Sequence, residues 1–501
     1  MELNIVWFKK DLRIIDNEAF YEASLKHSIL PIYIIEKELW KQETHSLRQW
    51  QFCKESILDL RRALKNLGQP LIIKTGNVID IFEDLYRLFE IKGIYCHQET
   101  GDYFTYKRDN EIRQWAKKKD IYFREFLQFA VFRGKTFNRN HWSKKWKEHY
   151  QKEIPKFNLK LKALDFDPGE VPSNEYFGFK KDECKGRLRG GRKEGLKRLK
   201  LFFNEKIFSY SQDISNPDKA FDSCSRLSPY ITWGCISIKE IYKEANFLRN
   251  KNSQMLKSRL SWHCHFIQKL ETEPNLEFKE FHPYFKKIRT KNDYYLDSWC
   301  NGNTGFPFLD ACMRSLNHNG WINFRMRAML MSFASYNLWI PWQDSGKKLA
   351  AKFVDYEPGI HWSQCQMQSG TTSINTIRIY NPIKQGKDYD YEGIFIKKWV
   401  PELKEIPSQL IHEPWLIQKE DKFRYFYDKF YRKPIIDLAS TTKEARRKLF
   451  EIRNKDGYWD ISKEIHLKHG SRRSNFKKRK KVLRETVKDS KFEQIEINLI
   501  S

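Results

Sequence analysis

Three serines stand close together in the stretch 223–228, immediately before Pro229. In a loop, the hydroxyl groups of Ser223, Ser225 and Ser228 and the neighbouring backbone N–H groups can surround a phosphate. Serines at this spacing also occur where they simply cap a helix. The stretch is a candidate phosphate-binding loop, and the capping interpretation stays open beside it.

Two arginines form a second candidate site. Arg325 and Arg327 lie in the segment 320–330, GWINFRMRAML, whose pattern predicts a helix. Residues two apart on a helix point to nearly opposite sides, so one guanidinium can face solvent and a phosphate while the other turns inward. The inward arginine requires a carboxylate partner, because an unpaired buried charge is costly.

The cysteines do not indicate a metal site. No two of them form a CxxC pair, and no group has the spacing of zinc ligands. We expect reduced thiols, several of them in the core, and neither a structural metal nor an iron–sulfur cluster. The nine residues are Cys53, Cys96, Cys184, Cys224, Cys235, Cys264, Cys300, Cys312 and Cys365.

The charge indicates an anionic partner. Lys and Arg number 92 against 64 Asp and Glu, a formal net charge of +28. Such a field attracts polyanions, of which DNA and RNA are the usual ones. The abundant aromatic residues (16 Trp, 24 Tyr and 36 Phe) would suit a surface that stacks on bases, although most belong in cores. A lysine-rich composition without nucleic-acid binding remains the alternative.

The pattern of apolar residues predicts two kinds of domain. Short apolar runs alternate with amphipathic helical segments in the first quarter of the chain, which predicts a buried parallel sheet with helices on its faces. These runs are residues 3–8, 29–35, 71–76, 93–98 and 121–127. No GxGxxG follows the first run, so a dinucleotide fingerprint is absent. Helical periodicity dominates from Gly190 onward.

We therefore divide the chain into four parts. They are an α/β domain, a polar and irregular connector, a helical domain, and a basic extension that either is solvated or adds a nucleic-acid contact; their predicted bounds are 1–132, 133–189, 190–440 and 441–501. No run of about 18 apolar residues predicts a membrane span, and no signal peptide is visible. A cytoplasmic location, with nucleoid association in a prokaryote, is expected.

Five segments resemble motifs of the photolyase/cryptochrome superfamily. The resemblance runs in order over about residues 3–420, and it implies a Rossmann-like parallel-sheet antenna domain followed by a large all-helical FAD-binding domain. The segments are IVWFKKDLRIIDNEAF (5–20), GGRKEGLKRLKLFF (190–203), SCSRLSPYITWGCIS (223–237), GNTGFPFLDACMRSLNHNGWINFRMRAMLMSF (302–333) and RIYNPIKQGKDYDYEGIFIKKWVPEL (378–403).

The resemblance implies a set of FAD contacts. Asp355 matches the family aspartate that pairs with the inward arginine, here Arg327, beside the flavin ring. Cys224 stands where the family often has threonine. The implied contacts are Tyr210, Ser225, Arg226, Leu227, Ser228, Trp321, Asn323, Arg327, Asp355 and Glu357. A second antenna chromophore, of folate or deazaflavin type, is also possible on this basis.

The substrate-contact positions depart from the family pattern. The helix that reads WREF in many photolyases, with a glutamate that reaches the lesion, reads Trp262-His263-Cys264-His265-Phe266 here. Cys264 cannot supply a carboxylate, so His263, His265 or another residue would have to substitute, or the substrate contact differs. The residues we assign to catalysis are Trp262, Cys264, His265 and His361, the last as a candidate to face flavin N5.

DNA contacts and electron carriers are assigned in the same way. Arg325, Lys384 and Gln385 are candidate DNA contacts, and Cys365 replaces a tryptophan that stacks on the lesion in many repair enzymes. The tryptophan electron chain of the family is altered: Trp342 matches its middle member, while Trp362 and Trp339 are possible substitutes.

The family resemblance implies one of two functions. The first is light-driven repair of UV-induced pyrimidine dimers, a lyase reaction in which excited reduced FAD donates an electron to damaged DNA. The alternative is a cryptochrome-like blue-light receptor that binds FAD without repair. A DNA-binding flavoprotein without a light role is the third possibility. We expect a monomer with no obligate protein partner, and the sequence does not distinguish a cyclobutane dimer from a (6–4) product as substrate.

Overall fold

The computed structural model describes residues 2–134, 139–154, 160–182 and 184–470. The N-terminal domain contains one parallel sheet in the order β3-β2-β1-β4-β5. Its strands are β1 (Glu2–Phe8), β2 (Ser28–Ile35), β3 (Ile72–Thr75), β4 (Glu90–His97) and β5 (Tyr122–Phe126). The five predicted apolar runs thus form the sheet, and the predicted α/β architecture is confirmed.

Helices connect the strands, and helices joined by loops and short turns form most of the C-terminal part. Those of the N-terminal part are α1 (Glu18–Ser24), α2 (Lys37–Trp40), α3 (Leu47–Asn66), α4 (Val78–Leu88), α5 (Tyr103–Lys118) and α6 (Trp142–Gln151). The C-terminal part has α7 (Arg192–Asn204), α8 (Tyr210–Asp213), α9 (Lys219–Ser223), α10 (Ser228–Thr232), α11 (Ile238–Phe247), α12 (Lys251–Thr272), α13 (Asp293–Cys300), α14 (Pro307–Asn319), α15 (Phe324–Ser332), α16 (Trp342–Lys352), α17 (Pro358–Gln368), α18 (Pro382–Tyr389), α19 (Ile394–Trp399), α20 (Lys422–Phe430), α21 (Leu438–Arg453) and α22 (Tyr458–His469). The predicted all-helical second domain is therefore confirmed.

Alternate residues of the central strands enter two different cores. Leu3, Ile5 and Trp7 of β1 pack with α4 and α5 in a core confined to the N-terminal domain. Val6 and Phe8 point to the other face, where the core also includes side chains of the helical domain. Because side chains alternate along a strand, one face of the sheet supports its own domain and the other joins the two domains.

The connector contains a helix that the sequence analysis missed. Residues 135–190 were predicted irregular, but α6 occupies 142–151. Trp142, Trp146 and Tyr150 recur every four residues and are buried, which is the spacing of an amphipathic helix. The prediction was wrong because the four lysines and glutamates between these aromatic residues hid the apolar stripe.

In the first turn of α3, one arginine connects the two domains by donating hydrogen bonds to backbone carbonyl oxygens of the helical domain. The guanidinium of Arg48 donates to both carboxylate oxygens of Asp182, at 2.6 and 2.7 Å. It also donates to the carbonyl oxygens of Leu316, Asn317 and Lys352, at 3.3, 3.0 and 2.9 Å. These carbonyls lie at the C-terminal ends of α14 and α16, where helices lack internal donors. Arg48 thus satisfies groups that would otherwise be unpaired at the interface.

We expect Arg48→Met to destabilise the protein by about 3 kcal/mol, because removal of one partner leaves a buried carboxylate and three carbonyls without their donor. Denaturant unfolding of the FAD-free protein would measure this. Arg62→Met is the matched control on the same helix, since the Arg62 side chain is 71% exposed and pairs only with Asp59; it should change stability by less than about 0.5 kcal/mol. Equal effects of the two substitutions would contradict the role assigned to Arg48.

The C-terminal helices α21 and α22 pack on the helical domain. Residue 441, where we predicted a basic extension to begin, lies inside α21. Ala445, Leu449 and Tyr458 are buried with Phe285 and Tyr336 of the domain. Helical packing therefore continues to His469, and the most basic part of the predicted extension, 471–482, lies outside the described residues.

An ion pair with Glu273 holds the end of α22, and its contribution to the stability of the folded protein depends on pH. His469 Nε2 lies 3.0 Å from Glu273 Oε2, and Lys468 binds the same carboxylate. The hydrogen bond from His469 and the contact with Lys468 lower the pKa of Glu273 to about 2, despite partial burial. A lowered carboxyl pKa stabilises the folded state above the unfolded value of 4.5, and the stabilisation disappears as the pH falls through about 2.

We expect Glu273→Gln to lower the stability by less than about 1 kcal/mol near pH 6, because the carboxylate is partly exposed. The difference from the unsubstituted protein should shrink as the pH is lowered below 4. Amide hydrogen exchange of α22 would measure it, with Glu464→Gln on the exposed side of the same helix as the control. A difference that is constant with pH would show that the ion pair does not fasten α22.

Candidate functional site

The serine-rich stretch forms a tight loop between α9 and α10. The hydroxyl of Ser223 donates to the Lys219 carbonyl within α9, at 2.8 Å, so this serine completes its own helix. Ser225 Oγ accepts from the Leu227 backbone N–H at 3.4 Å, and Ser225 and Ser228 are half-buried. The N-cap residue of α10 is Leu227, so none of the three serines caps that helix. Ser223 pairs within α9, and Ser225 and Ser228 are available in the loop.

Arg226 in this loop is a buried cation that forms no ion pair with the described residues. It is 6% exposed, its backbone has a φ of 50°, and its Nε and Nη2 atoms have no hydrogen-bond partner. Its guanidinium lies 3.7 Å from the centre of the Phe221 ring and 5.4 Å from that of Trp321. Burial, together with repulsion from Arg198, lowers the pKa of Arg226 to about 9. A strained, unpaired buried arginine is costly, and an anionic ligand would remove that cost.

The inward arginine of α15 has the carboxylate partner that the sequence required. Arg327 donates from Nη1 and Nη2 to the two oxygens of Asp355, at 3.0 and 2.9 Å, a bidentate geometry of strong ion pairs. The Asp355 side chain is 4% exposed. Its backbone segment is held by Trp233, whose Nε1 donates to the Val354 carbonyl at 3.2 Å. The pair is fixed in place and lies within electrostatic range of Arg226.

Further polar atoms without partners surround this pair. Oδ1 of Asn323 and Oε1 of Glu357 are buried and unpaired, while the Asn323 amide nitrogen donates to the Ile214 carbonyl at 3.0 Å. Burial raises the pKa of Glu357 to about 7. Because buried polar groups are nearly always paired, these atoms indicate a polar ligand with both donors and an anionic group.

Three of the predicted substrate residues on α12 point away from this site. Cys264 is fully buried, with Sγ 3.3 Å from the Tyr150 hydroxyl of α6. His265 Nδ1 lies 3.1 Å from an Arg139 nitrogen, and its ring is 5.8 Å from that of Trp142. His263 packs on Phe129 of the α/β domain. Cys264 and His265 thus contact α6 and the residue Arg139 before it, and their catalytic assignment stays a prediction.

Trp262 and the overlooked Arg259 lie beside each other on α12. The Arg259 guanidinium is 4.8 Å from the centre of the Trp262 ring, and it lies within electrostatic range of Tyr210 and Cys224, beside the serine loop. Residues three apart share one side of a helix. That spacing could have identified Arg259 from the sequence, whereas the alignment of motif letters did not.

Arg325 and α18 form the opposite side of the site. The Arg325 guanidinium lies 4.9 Å from the Tyr389 ring, opposite in direction to the inward Arg327. Lys384 is exposed on α18, and Gln385 is half-buried with its Oε1 unpaired. Of the four predicted DNA contacts, Lys384 is exposed, Arg325 and Gln385 are half-buried, and all four assignments stay predictions.

Two family models match this chain. The model described as DNA photolyase matches residues 4–157, and that of the FAD binding domain of DNA photolyase matches residues 255–451. A deoxyribodipyrimidine photo-lyase of Alkalihalophilus pseudofirmus is 27% identical over 88% of this chain and 97% of its own length. The chain belongs to the photolyase/cryptochrome superfamily.

Repair enzymes and cryptochromes are about equally similar to this superfamily member. A cryptochrome DASH of Gloeobacter violaceus is 27% identical over 87% of this chain and 93% of its own length. A class III photolyase from Agrobacterium tumefaciens superposes with a TM-score of 0.81 at 22% identity, covering 91% of this chain and 98% of its own. A Sulfolobus tokodaii photolyase, solved with two FAD molecules, has a TM-score of 0.75 at 25% identity and covers 90% and 100%.

The C-terminal domain of this photolyase/cryptochrome protein is an FAD-binding domain, and its polar residues fit that cofactor. The pyrophosphate would supply acceptors to the unpaired nitrogens of Arg226. The polar edge of the ring system and the ribityl hydroxyls would supply partners to Asn323 and Glu357. Tyr210, Leu227 and Trp321 are buried around the loop, as walls of a largely apolar pocket.

The candidate residues His361 and Cys365, which follow Asp355, are buried. His361 Nε2 donates to the Gly346 carbonyl at 2.8 Å, and burial lowers the pKa of its ring to about 4, so the ring is neutral at physiological pH. Cys365 is 3% exposed and lies 3.4 Å from that same His361 atom. Cys365 is therefore not part of the protein surface, and its assignment as a contact to the lesion stays a prediction.

The three tryptophans assigned to electron transfer have different surroundings. The rings of Trp342 and Trp362 are 5.8 Å apart and both are buried. Trp339 has a φ of 53°, and its ring lies 4.8 Å from the Arg289 guanidinium and 4.7 Å from the Lys448 ammonium. Loss of an electron would place a positive charge between these cations, which is unfavourable. The surroundings favour Trp342 and Trp362 over Trp339.

Two other expectations concern features that the described residues do not show. Over the described ranges, no group of three or more His, Cys, Asp or Glu side chains could hold a metal ion. In that same part of the chain, every helix is too short or too polar to cross a bilayer.

Proposed function

We propose that this protein repairs UV-induced pyrimidine dimers in DNA by light-driven electron transfer from reduced FAD. The observation that carries the proposal is a pair of cation–aromatic contacts, Arg259 with Trp262 and Arg325 with Tyr389, on two sides of the cofactor site. All four side chains are partly exposed. Aromatic rings beside cations are what proteins use to stack bases and bind phosphates of single-stranded or flipped nucleotides.

One short segment connects the two sides of the site. The Asn323 amide donates to the Ile214 carbonyl, and the Asn216 amide donates to the Tyr389 carbonyl at 2.8 Å. Tyr210, at the start of the same segment, lies within electrostatic range of Arg259. The segment 210–216 therefore contacts the helix that carries Tyr389 and lies within electrostatic range of Arg259.

The charges of the chain suit the same ligand. A net charge of +28 attracts the DNA backbone, and Lys384 is exposed beside Arg325 and Gln385. When bound and reduced, FAD supplies the electron that light makes available to the lesion. Asp355 orients Arg327 through two hydrogen bonds, so the positive charge of the guanidinium is held at a fixed place. That charge would stabilise negative charge on a neighbouring group.

A light-receptor function is the second candidate, and one observation favours it. Cys264 and His265 face α6, and the described residues of α12 offer Arg259 rather than a carboxylate beside Trp262. A receptor needs FAD and its electron donors, but it does not need a lesion contact.

Binding to damaged DNA in the dark distinguishes the two candidates. We expect the protein to bind a duplex with one thymine cyclobutane dimer at least tenfold more tightly than the undamaged duplex, as measured by fluorescence anisotropy. Trp262→Ala should remove most of that preference, because a lost base stack costs about 1–3 kcal/mol. Trp459→Ala is the control, since Trp459 is 55% exposed on α22. Equal affinities for both duplexes, and for a duplex with a (6–4) product, would favour the receptor.

A further inference from the structure

The parallel sheet places a crevice where such folds usually bind a ligand. In the order β3-β2-β1-β4-β5, strands β2 and β3 lie on one side of β1, and strands β4 and β5 lie on its other side. The direction of the connections therefore reverses between β1 and β4. Ligands of open α/β sheets bind outside the carboxyl ends of the strands at this point of divergence. Here the strand ends lead to Lys9, Glu36 and Glu99, which line one cavity. A second chromophore bound to the α/β domain by this rule would occupy that cavity.

A side chain from α5 already fills the crevice. The Arg108 guanidinium lies 2.5 Å from Glu36 Oε2, 2.5 Å from Glu99 Oε2 and 2.8 Å from Asp109 Oδ1. It also lies 4.9 Å from the centre of the Trp7 ring. The side chains of Arg108 and these three acids are all less than 10% exposed. Although burial opposes it, the three carboxylates raise the pKa of Arg108, so the guanidinium is charged.

A second cation completes the cluster. Lys9 Nζ lies 2.9 Å from Asp109 Oδ2 and 4.4 Å from the centre of the Trp7 ring. Each buried carboxylate named here thus has a cation within hydrogen-bond distance. Displacing Arg108 would leave Glu36 and Glu99 buried without that partner, which is strongly unfavourable. The arginine is therefore part of the folded core and would not readily move aside for a ligand.

Little space remains beside this cluster. The cavity measures about 30 Å³, which is enough for about two or three water molecules at about 10–15 Å³ each. Among its other lining residues, the rings of Trp40 and Trp233 stack at 5.7 Å with an interplanar angle of 5°. Pockets for cofactor-sized ligands measure about 300–1,000 Å³. A tricyclic or pterin ring does not fit this space.

We infer that Arg108 and its carboxylates permanently occupy the ligand crevice of the α/β domain, so that no light-harvesting chromophore of flavin, deazaflavin or folate type binds there. The inference concerns the N-terminal domain alone and holds whether the protein repairs DNA or senses light.

The test is a count of bound chromophores. The purified FAD-loaded protein is incubated with excess FMN, FAD, a 5-deazaflavin or a reduced folate, passed through a desalting column and denatured, and the released compounds are quantified by chromatography. We expect one FAD per chain and no second compound. The readout does not use repair, so failure of the proposed function would not alter it.

A variant whose crevice is filled shows whether a second bound chromophore occupies the crevice or another site. Lys10→Trp would fill the mouth of the crevice, where Lys10 already lies 5.8 Å from the Trp233 ring, and Lys26→Trp on the exposed surface is the control. A second chromophore retained by the unsubstituted protein and by the control, but lost from a folded Lys10→Trp protein, would overturn the inference. A second chromophore retained equally by all three would place its site elsewhere and support a closed crevice. Retention of one FAD confirms that each variant is folded.

Discussion

Replacing Arg226 by methionine should weaken FAD binding by at least about 100-fold, because charge-assisted hydrogen bonds to a phosphate are worth about 1.5–3 kcal/mol each. The same change should stabilise the FAD-free protein by about 1–2 kcal/mol, because it removes a buried cation whose Nε and Nη2 have no partner. These opposite signs distinguish a ligand-binding arginine from a structural one, whose loss would destabilise both forms.

The measurement is an isothermal titration of the FAD-free protein with FAD, together with denaturant unfolding of that form. Arg249→Met is the control, because Arg249 is exposed at the end of α11; neither its FAD affinity nor its stability should change. If Arg226→Met bound FAD as tightly as the unsubstituted protein, the loop 223–228 would not hold the pyrophosphate.

We expect Asp355→Asn to have the second large effect, on the midpoint potential of FAD and on the stability of the protein. This substitution removes the negative charge that neutralises Arg327 and leaves the site more positive by one charge. Reduced FAD carries more negative charge than oxidised FAD when it is not fully protonated, so the midpoint potential should rise. A rise of about 30–60 mV corresponds to about 1.4–2.8 kcal/mol for a two-electron couple. The FAD-free protein should also lose about 3 kcal/mol of stability, since one partner of a buried pair is removed.

Spectroelectrochemical titration of the FAD-loaded protein would measure the potential. Asp388→Asn on α18 provides the matched control, because Asp388 is exposed, and its potential should be that of the unsubstituted protein. A loss of stability without any change in potential would mean that the pair is only structural and does not face the flavin.

Most of the fold could be predicted because the sequence patterns that indicate its strands and helices are local. Uninterrupted apolar runs such as Ile29–Ile35 lie in the interior of the sheet, where both faces are covered. Helix α6 was missed for the opposite reason. Its lysines and histidine lower the mean hydropathy, and only the fourfold spacing of Trp142, Trp146 and Tyr150 reveals the buried face.

The site was predictable where one residue requires another. The inward Arg327 needed a carboxylate, and Asp355 provides it. The orientation of α12 was not predictable from motif letters, because neighbouring positions of a helix face different elements. His265 contacts Arg139 and Trp142, whereas the Arg259 guanidinium lies over the Trp262 ring and within electrostatic range of Tyr210. The unpaired state of Arg226 depends on residues from distant segments and required the structure.

The most direct test of the account is a light-dependent repair assay. The FAD-loaded protein is reduced under anaerobic conditions, mixed with an oligonucleotide that carries one thymine cyclobutane dimer, and kept in the dark or illuminated with blue light; intact dimer is then quantified by chromatography. We predict loss of the dimer only in the light, with several dimers repaired per protein molecule. An unchanged dimer in the light, together with an unchanged (6–4) product in a parallel sample and a flavin that is demonstrably bound and reduced, would contradict the repair function and leave the light receptor as the better account.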